Sequence, residues 1–320
     1  MHEERQKILD MLSEGKITAE EAERLLKALP KRRPGGTGRW PGLDWLASLF
    51  GLGAHYSEEQ DWTLDGADLS LIKAETDNGA ISLRGSDQDQ VAVRAWKKVR
   101  APNEEAAKEF ARQVQIHVER QGNEVHVYKE HPRPPLGYSV SVRYEISCPH
   151  AVDANLRTSN GAIEVHTIDG KVEAVTSNGA IELQGGTGKV HLHTSNGAIH
   201  LQNARGYVRA ETSNGRIHAS LGQLEEGIFS TSNGAIEIEV REGNAPLTAK
   251  TSNGAIHVAL PSDFSGQLDA KTTNGRVHSE LAVSASDSGR NRLVGQIGSG
   301  GEATVKLRTL NGRIHLKAWQ

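Results

Sequence analysis

From about residue 59 onward, apolar and polar side chains alternate with period two. One unit reads Val172, Ala174, Thr176, then Ile181 and Leu183; the next reads Val190, Leu192, Thr194, then Ile199 and Leu201. Alternation of this kind predicts strands with one buried face. Between the halves of each unit the parity switches across an Asn-Gly pair, so the chain turns there. Asn and Gly tolerate positive φ, which tight turns use. A second turn follows each pair of strands, and its length varies, as in "TIDGK", "GGTGK", "NARGY" and "LPSDFSGQ".

The unit recurs. Asn-Gly pairs stand at Asn78, Asn160, Asn178, Asn196, Asn214, Asn233, Asn253, Asn274 and Asn311, with gaps of 82, 18, 18, 18, 19, 20, 21 and 37 residues. Two places before each asparagine is a threonine: Thr76, Thr158, Thr176, Thr194, Thr212, Thr231, Thr251, Thr272 and Thr309. Three places after it is isoleucine, or valine in the case of Val277. A period this short marks a repeat architecture. The expected fold is mainly β, a solenoid of about 18-residue coils in which Thr stacks over Thr and Asn over Asn and both hydrogen-bond between coils. The alternative is an antiparallel meander whose Asn-Gly hairpins pair Thr158 with Ile163. A meander needs only a turn and an apolar face, and gives no reason for the same threonine in nine units. One coil cannot stand alone, so stacking and end-capping must supply the stability. The Thr and Asn columns, in the seven units from Thr158 and Asn160 to Thr272 and Asn274, are therefore read as a structural ladder, not as catalytic, cofactor or metal residues.

The 82-residue gap holds more alternation in "QVAVRAWKKV", "VQIHVERQGNEVHVY" and "YSVSVRYEIS". Between them "PNEEAAKEFARQ" reads as a helix opening at Pro102 and Asn103. The C-terminal stretch "GRNRLVGQIGSGGEATVKLRTLNGRIHL" reads as a degenerate coil followed by a final one.

Ahead of the β region, residues 1–30 read as a helical hairpin. Glu3 to Ser13 forms a helix stopped by Gly15. Thr18 with Glu21 makes a capping box for a second helix, whose face carries Ala22, Leu25, Leu26 and Leu29. So short a module cannot bury a sufficient core alone, which points to self-association through residues 1–30. Residues 31–58 form a basic, Pro/Gly-rich linker with Lys31, Arg32, Arg33 and Arg39. Within it, residues 40–52 suit a short apolar helix that covers the first coil over Ile72 and Ile81. The competing role is contact with a membrane surface.

Composition changes this picture only a little. The net charge of −3 gives no global attraction to nucleic acid. Cys148 is the single cysteine, which excludes an intramolecular disulfide and a cysteine-based metal knuckle. No apolar run approaches the roughly 18–20 residues that span a bilayer. The N-terminus lacks the apolar core of a signal peptide. A cytoplasmic protein, peripheral at most to the inner face of the membrane, is the expectation.

Candidate chemistry is sparse. His200, His218, His257, His278 and His315 fall four places after an asparagine, in an outward column with Glu164, Glu182 and Glu237. Stacking in chain order puts His200 over His218, and His257 over His278, about 4.8 Å apart. Such pairs can hold a transition metal, but the bland reading, a solvated strand face, is preferred, with no cofactor and no dedicated metal. There is no P-loop, zincin or nucleophile-elbow motif. Acids are spread singly from coil to coil, which argues against a polysaccharide-cleaving β-helix.

The repeated "TSNGAI", with "VRYEISCP" before it and "GQIGSGG" and "LRTLNGRIHL" at the end, resembles the bacterial putative-adhesin family of unknown function. The N-terminal segment "ERQKILDMLSEGKITAEEAERLLKAL" resembles a SHOCT-like helical hairpin. The resemblance implies a β-solenoid over about residues 59–320 and no catalytic residues. Its links to cell-envelope stress imply a non-enzymatic scaffold with an envelope-associated protein partner. An adhesin-like binder of polymers or glycans is the alternative.

Overall fold

The computed structural model describes residues 53–319. The helical hairpin of residues 1–30, most of the linker, and the 40–52 segment read as a cap or membrane contact lie outside the described residues. The described chain falls into two compact units. The smaller comprises residues 53–57, 98–114 and 131–140, and the larger residues 58–97, 115–130 and 141–319.

The smaller unit contains the helix Glu104–Ala111. Asn103 caps it, its Oδ1 accepting from the Ala106 amide at 2.8 Å. Glu104 and Glu105 lie in the first turn, where the helix dipole favours negative charge. Ala107, Phe110 and Ala111 form the buried stripe, and Phe110 meets the Tyr138 ring at 5.4 Å.

The larger unit is a β-solenoid. Strands on either side of an Asn-Gly corner do not pair with each other, as a meander requires. Each pairs in parallel with its equivalent one coil away. Val172–Thr176 registers with Val190–Thr194 on one side, and Val172 and Ala174 with Ala154 and Leu156 on the other. On the second face, Ile81, Ile163, Ile181, Ile199, Ile217, Ile236 and Ile256 follow one another in register. All seven are completely buried. Parallel pairing with an unchanged offset is what the near-constant repeat length imposes, because any slip by one residue would turn the isoleucine column outward.

The 82-residue gap does not interrupt the stack. Leu71–Thr76 registers directly with Asp153–Thr158. Beneath it lies a further coil without an Asn-Gly corner, built from Glu124–Val127 and Tyr144–Pro149.

At the C-terminal end the order of coils departs from the order of the chain. Leu247–Thr251 pairs not with the following coil but with Val305–Thr309, which in turn pairs with Leu268–Thr272. The last coil in sequence is thus inserted between the two before it. Side-chain volume accounts for this. One core column alternates small and large without exception: Ala74, Leu156, Ala174, Leu192, Ala210, Phe229, Ala249, Leu307, Ala270. Stacking in chain order would lay Ala249 on Ala270, two methyl groups facing a gap. Leu307 fills that gap, and close packing is worth more than sequential neighbourhood.

The expected degenerate coil at 289–303 is instead part of an antiparallel hairpin. Val283–Gly289 pairs with Arg292–Ile297, which pairs antiparallel with Gly266–Thr272. The hairpin covers the outer edge of that strand, and Gln115–Gln121, antiparallel to Glu124–Glu130, does the same at the opposite end. Antiparallel additions of this kind blunt edges that would otherwise pair with other chains.

Candidate functional site

Every repeated corner is a polar column at the surface with a buried one beneath it. The asparagine side chains form one continuous ladder, each Nδ2 donating to the Oδ1 of a neighbouring coil. Asn160 donates to Asn78, Asn178 to Asn160, Asn196 to Asn178, Asn214 to Asn196, Asn233 to Asn214 and Asn253 to Asn233. It ends with Asn311 donating to Asn253 and Asn274 to Asn311, so the inserted coil takes its place in the series. All eight bonds measure 2.7–3.0 Å.

The threonines do not bond to one another. Their hydroxyls are buried; Thr76 donates to the Val142 carbonyl at 3.2 Å, and each of the other eight to a glycine carbonyl one coil away. Thr158 reaches Gly79, Thr176 Gly161, Thr194 Gly179 and Thr212 Gly197. Thr231 reaches Gly215, Thr251 Gly234, Thr309 Gly254 and Thr272 Gly312, all at 2.8–3.0 Å. Thr194 also accepts from its own Gly197 amide at 3.2 Å. A buried carbonyl without a partner is costly, and a β-branched residue with a hydroxyl supplies one while fitting the strand. The glycine has a different reason from the positive φ first inferred. Gly79 alone of the column has positive φ, at 138°; Gly179 and Gly197 have ordinary φ, and no asparagine of the column has positive φ. A Cβ on Gly197 would overlap the Gly179 carbonyl oxygen, and one on Gly179 that of Gly161. Glycine is there for close approach of backbones.

The second outward column runs Glu164, Glu182, His200, His218, Glu237, His257, His315, His278 in spatial order. His200 stands next to His218, with ring centroids 6.2 Å apart, and His218 Nδ1 lies 3.4 Å from Glu237 Oε2. His257 does not lie over His278. Insertion of the last coil puts His315 between them, edge-on to His257 at 5.8 Å and stacked on His278 at 5.3 Å. A recess of about 280 Å³ opens here, lined by His218, Glu237, Glu239, His257, His315 and Lys317. Burial pushes the His257 imidazole below the usual histidine range, helped by His315 and Arg313 and opposed by Glu237.

Residues 69–317 match the family model described as Toastrack DUF4097, and residues 3–33 match a SHOCT-like domain. The chain belongs to the Toastrack DUF4097 family. No curated protein matches it. Among solved structures, this Toastrack chain is similar to a "putative lipid binding protein" from Parabacteroides distasonis, at 10% identity and a TM-score of 0.44, over 82% of this chain and 97% of that one. A "putative adhesin" from Parabacteroides merdae is 11% identical, with a TM-score of 0.36 and the same coverage. A "putative cell adhesion protein" from Clostridium sporogenes is 11% identical, with a TM-score of 0.23, over 82% of this chain and all of that one. At these scores the likeness carries no argument about role.

Two polar residues of the Toastrack domain's outward column escaped sequence reasoning. Glu280 lies two places after His278 and so shares its face; its Oε1 lies 2.8 Å from His315 Nε2. Lys317 follows His315 at the same spacing. The period-two rule finds both, but only the inserted coil reveals what they stand beside. Cys148 offers no nucleophile: it is buried, and burial pushes its thiol up to about 12. Among the described residues no helix is long and apolar enough to cross a membrane.

Proposed function

We propose that this Toastrack protein is a non-enzymatic interaction scaffold of the bacterial cell envelope, acting in stress response from the cytoplasmic side. The observation that supports this most is the ladder itself. Nine asparagines and nine threonines lock the coils into one register, leaving the outward columns as evenly spaced polar surfaces. Such a surface suits docking of a protein partner, and a rigid array loses little entropy on binding. The SHOCT-like segment, through residues 1–30, supplies self-association, so that several arrays are presented together. The chemistry of the outward columns fits binding better than turnover, since their carboxylates and imidazoles are spread along the stack.

The test is proximity crosslinking of the full chain in cells, followed by fractionation. Recovery of an envelope-associated protein crosslinked to the β domain is the expected result. A chain found outside the cell and retained on a glycan or other polymer, with no protein crosslink, would replace this reading with the adhesin-like one.

A further inference from the structure

The coil that carries His315 and the outer coil that carries His278 are direct neighbours, and their register gathers side chains from both on one outward face. His315 sits on Ile314–Ala318, and His278 registers beside it on Val277–Ser279. Glu280 follows on the same face, its position fixed by its amide donating to the Leu316 carbonyl at 2.9 Å. The His315 and His278 rings stack at 5.3 Å, and Glu280 Oε1 meets His315 Nε2 at 2.8 Å. One donor atom from each of the three lies within 4.8 Å of the others, the one such trio among the described residues. His200 and His218 with Glu237 repeat the composition without repeating that convergence.

We propose that His278, Glu280 and His315 form a divalent transition-metal site of the zinc class. Two imidazoles and a carboxylate are a borderline nitrogen and oxygen set. They suit Zn²⁺ or Ni²⁺ over Mg²⁺ and Ca²⁺, which take all-oxygen shells. Bonds of about 2.0–2.2 Å place the donors of a tetrahedral shell some 3.3 Å apart. The trio reaches that by small rotations of side chains whose backbones the sheet already holds. The metal replaces the proton between His315 and Glu280, and water completes the shell. The trio is open to solvent on its outer side, with Glu280 and His278 exposed. The ion therefore exchanges freely and is lost to chelators, which separates this site from a structural zinc sealed at folding. The two backbones it ties belong to coils 35 residues apart in sequence, so it pins the inserted coil to its outer neighbour. This inference stands apart from the scaffold reading and does not need it.

The test uses the full chain, stripped with chelator and titrated with Zn²⁺ by calorimetry, with Co²⁺ absorption as a second readout. One saturable equivalent is expected, with a rise in melting temperature. His278→Ala and Glu280→Gln should each weaken binding by about tenfold or more and abolish the rise. His200→Ala should keep affinity within about twofold. His278 is exposed on the outer strand Val277–Ser279 and Glu280 is exposed just past its end, so folding is preserved and loss of binding reads the site. Absence of a saturable equivalent, or equal weakening by His200→Ala, would overturn the proposal.

Discussion

The middle of the stack and its C-terminal end obey different rules. From Asp153 to Leu260, neighbours in the chain are neighbours in space, and a gap of 18 to 20 residues between asparagines is enough to name each residue's partner. From Gly266 onward, order is set by volume. Gly266–Thr272 is flanked by an antiparallel hairpin strand on one side and by the last coil on the other. The hydrogen-bonding groups are the same in both regions, and any coil could offer its Asn, Thr and Gly to any other. What distinguishes the coils is the alternation of Ala with Leu or Phe in the core column. Backbone and ladder bonds make the coils interchangeable; side-chain volume sorts them.

The largest test of this contrast is deletion of residues 304–319. It removes Val305, Leu307, Ile314 and Leu316, all buried, at roughly 1.5–3 kcal/mol of burial each. Hydrogen exchange should show protection lost across 266–297 and kept across 172–212; uniform loss would erase the distinction between the regions. Next is a matched pair, Leu307→Ala and Leu192→Ala. Each leucine lies between two alanines, so each should cost about 2–5 kcal/mol by denaturant unfolding. A value under about 1 kcal/mol for Leu307 alone would mean that packing does not hold the inserted coil. Within the regular region, Thr194→Val leaves the Gly179 carbonyl and Gly197 amide without their buried partner, and should cost about 1–3 kcal/mol. Asn196→Ala, at the exposed ladder, should cost less, about 0.5–1.5 kcal/mol. The reverse ranking in thermal melts would show that the surface ladder dominates.

The smallest effect belongs to the ion pair between Asp269 and Arg308, which joins the outer coil to the inserted one. Its hydrogen bond to Arg308 holds the Asp269 carboxyl below the usual range. A depressed folded value stabilises above the unfolded value of about 3.9 and is lost as pH falls through the folded one. Asp269→Asn should therefore destabilise by under about 1 kcal/mol at neutral pH. The difference should vanish in acid titrations below that range, and one that persists there would assign the effect to packing.

Much of this was legible in the residues. Period-two alternation and the constant Thr-x-Asn-Gly-x-Ile spacing announce parallel stacked strands, because only stacking of equivalents needs the same residue in each unit. Three things were not read from it. The threonine's acceptor is a neighbouring backbone carbonyl, and a side-chain pattern does not show backbone partners. The hairpin at 283–297 alternates as a coil does, and only its lack of an Asn-Gly corner sets it apart. The order of the last coils was written in Ala249, Ala270 and Leu307, but a volume column can be assembled only once the register is known. The trio at His315 was hidden by the hairpin, because a true coil in that segment would have stood between His278 and His315.

The asparagine ladder also has a direction. Every amide donates the same way, from Asn274 toward Asn78, and every threonine hydroxyl points the same way beside it. Aligned dipoles add, as they do along a helix. The column therefore ends at Asn78 in an amide whose oxygen is engaged, and at Asn274 in one whose nitrogen is engaged. The stack is a one-way lattice with unlike poles. A coil threaded upside down would meet donor with donor, so the series of side chains that binds the coils also vetoes the wrong orientation of each.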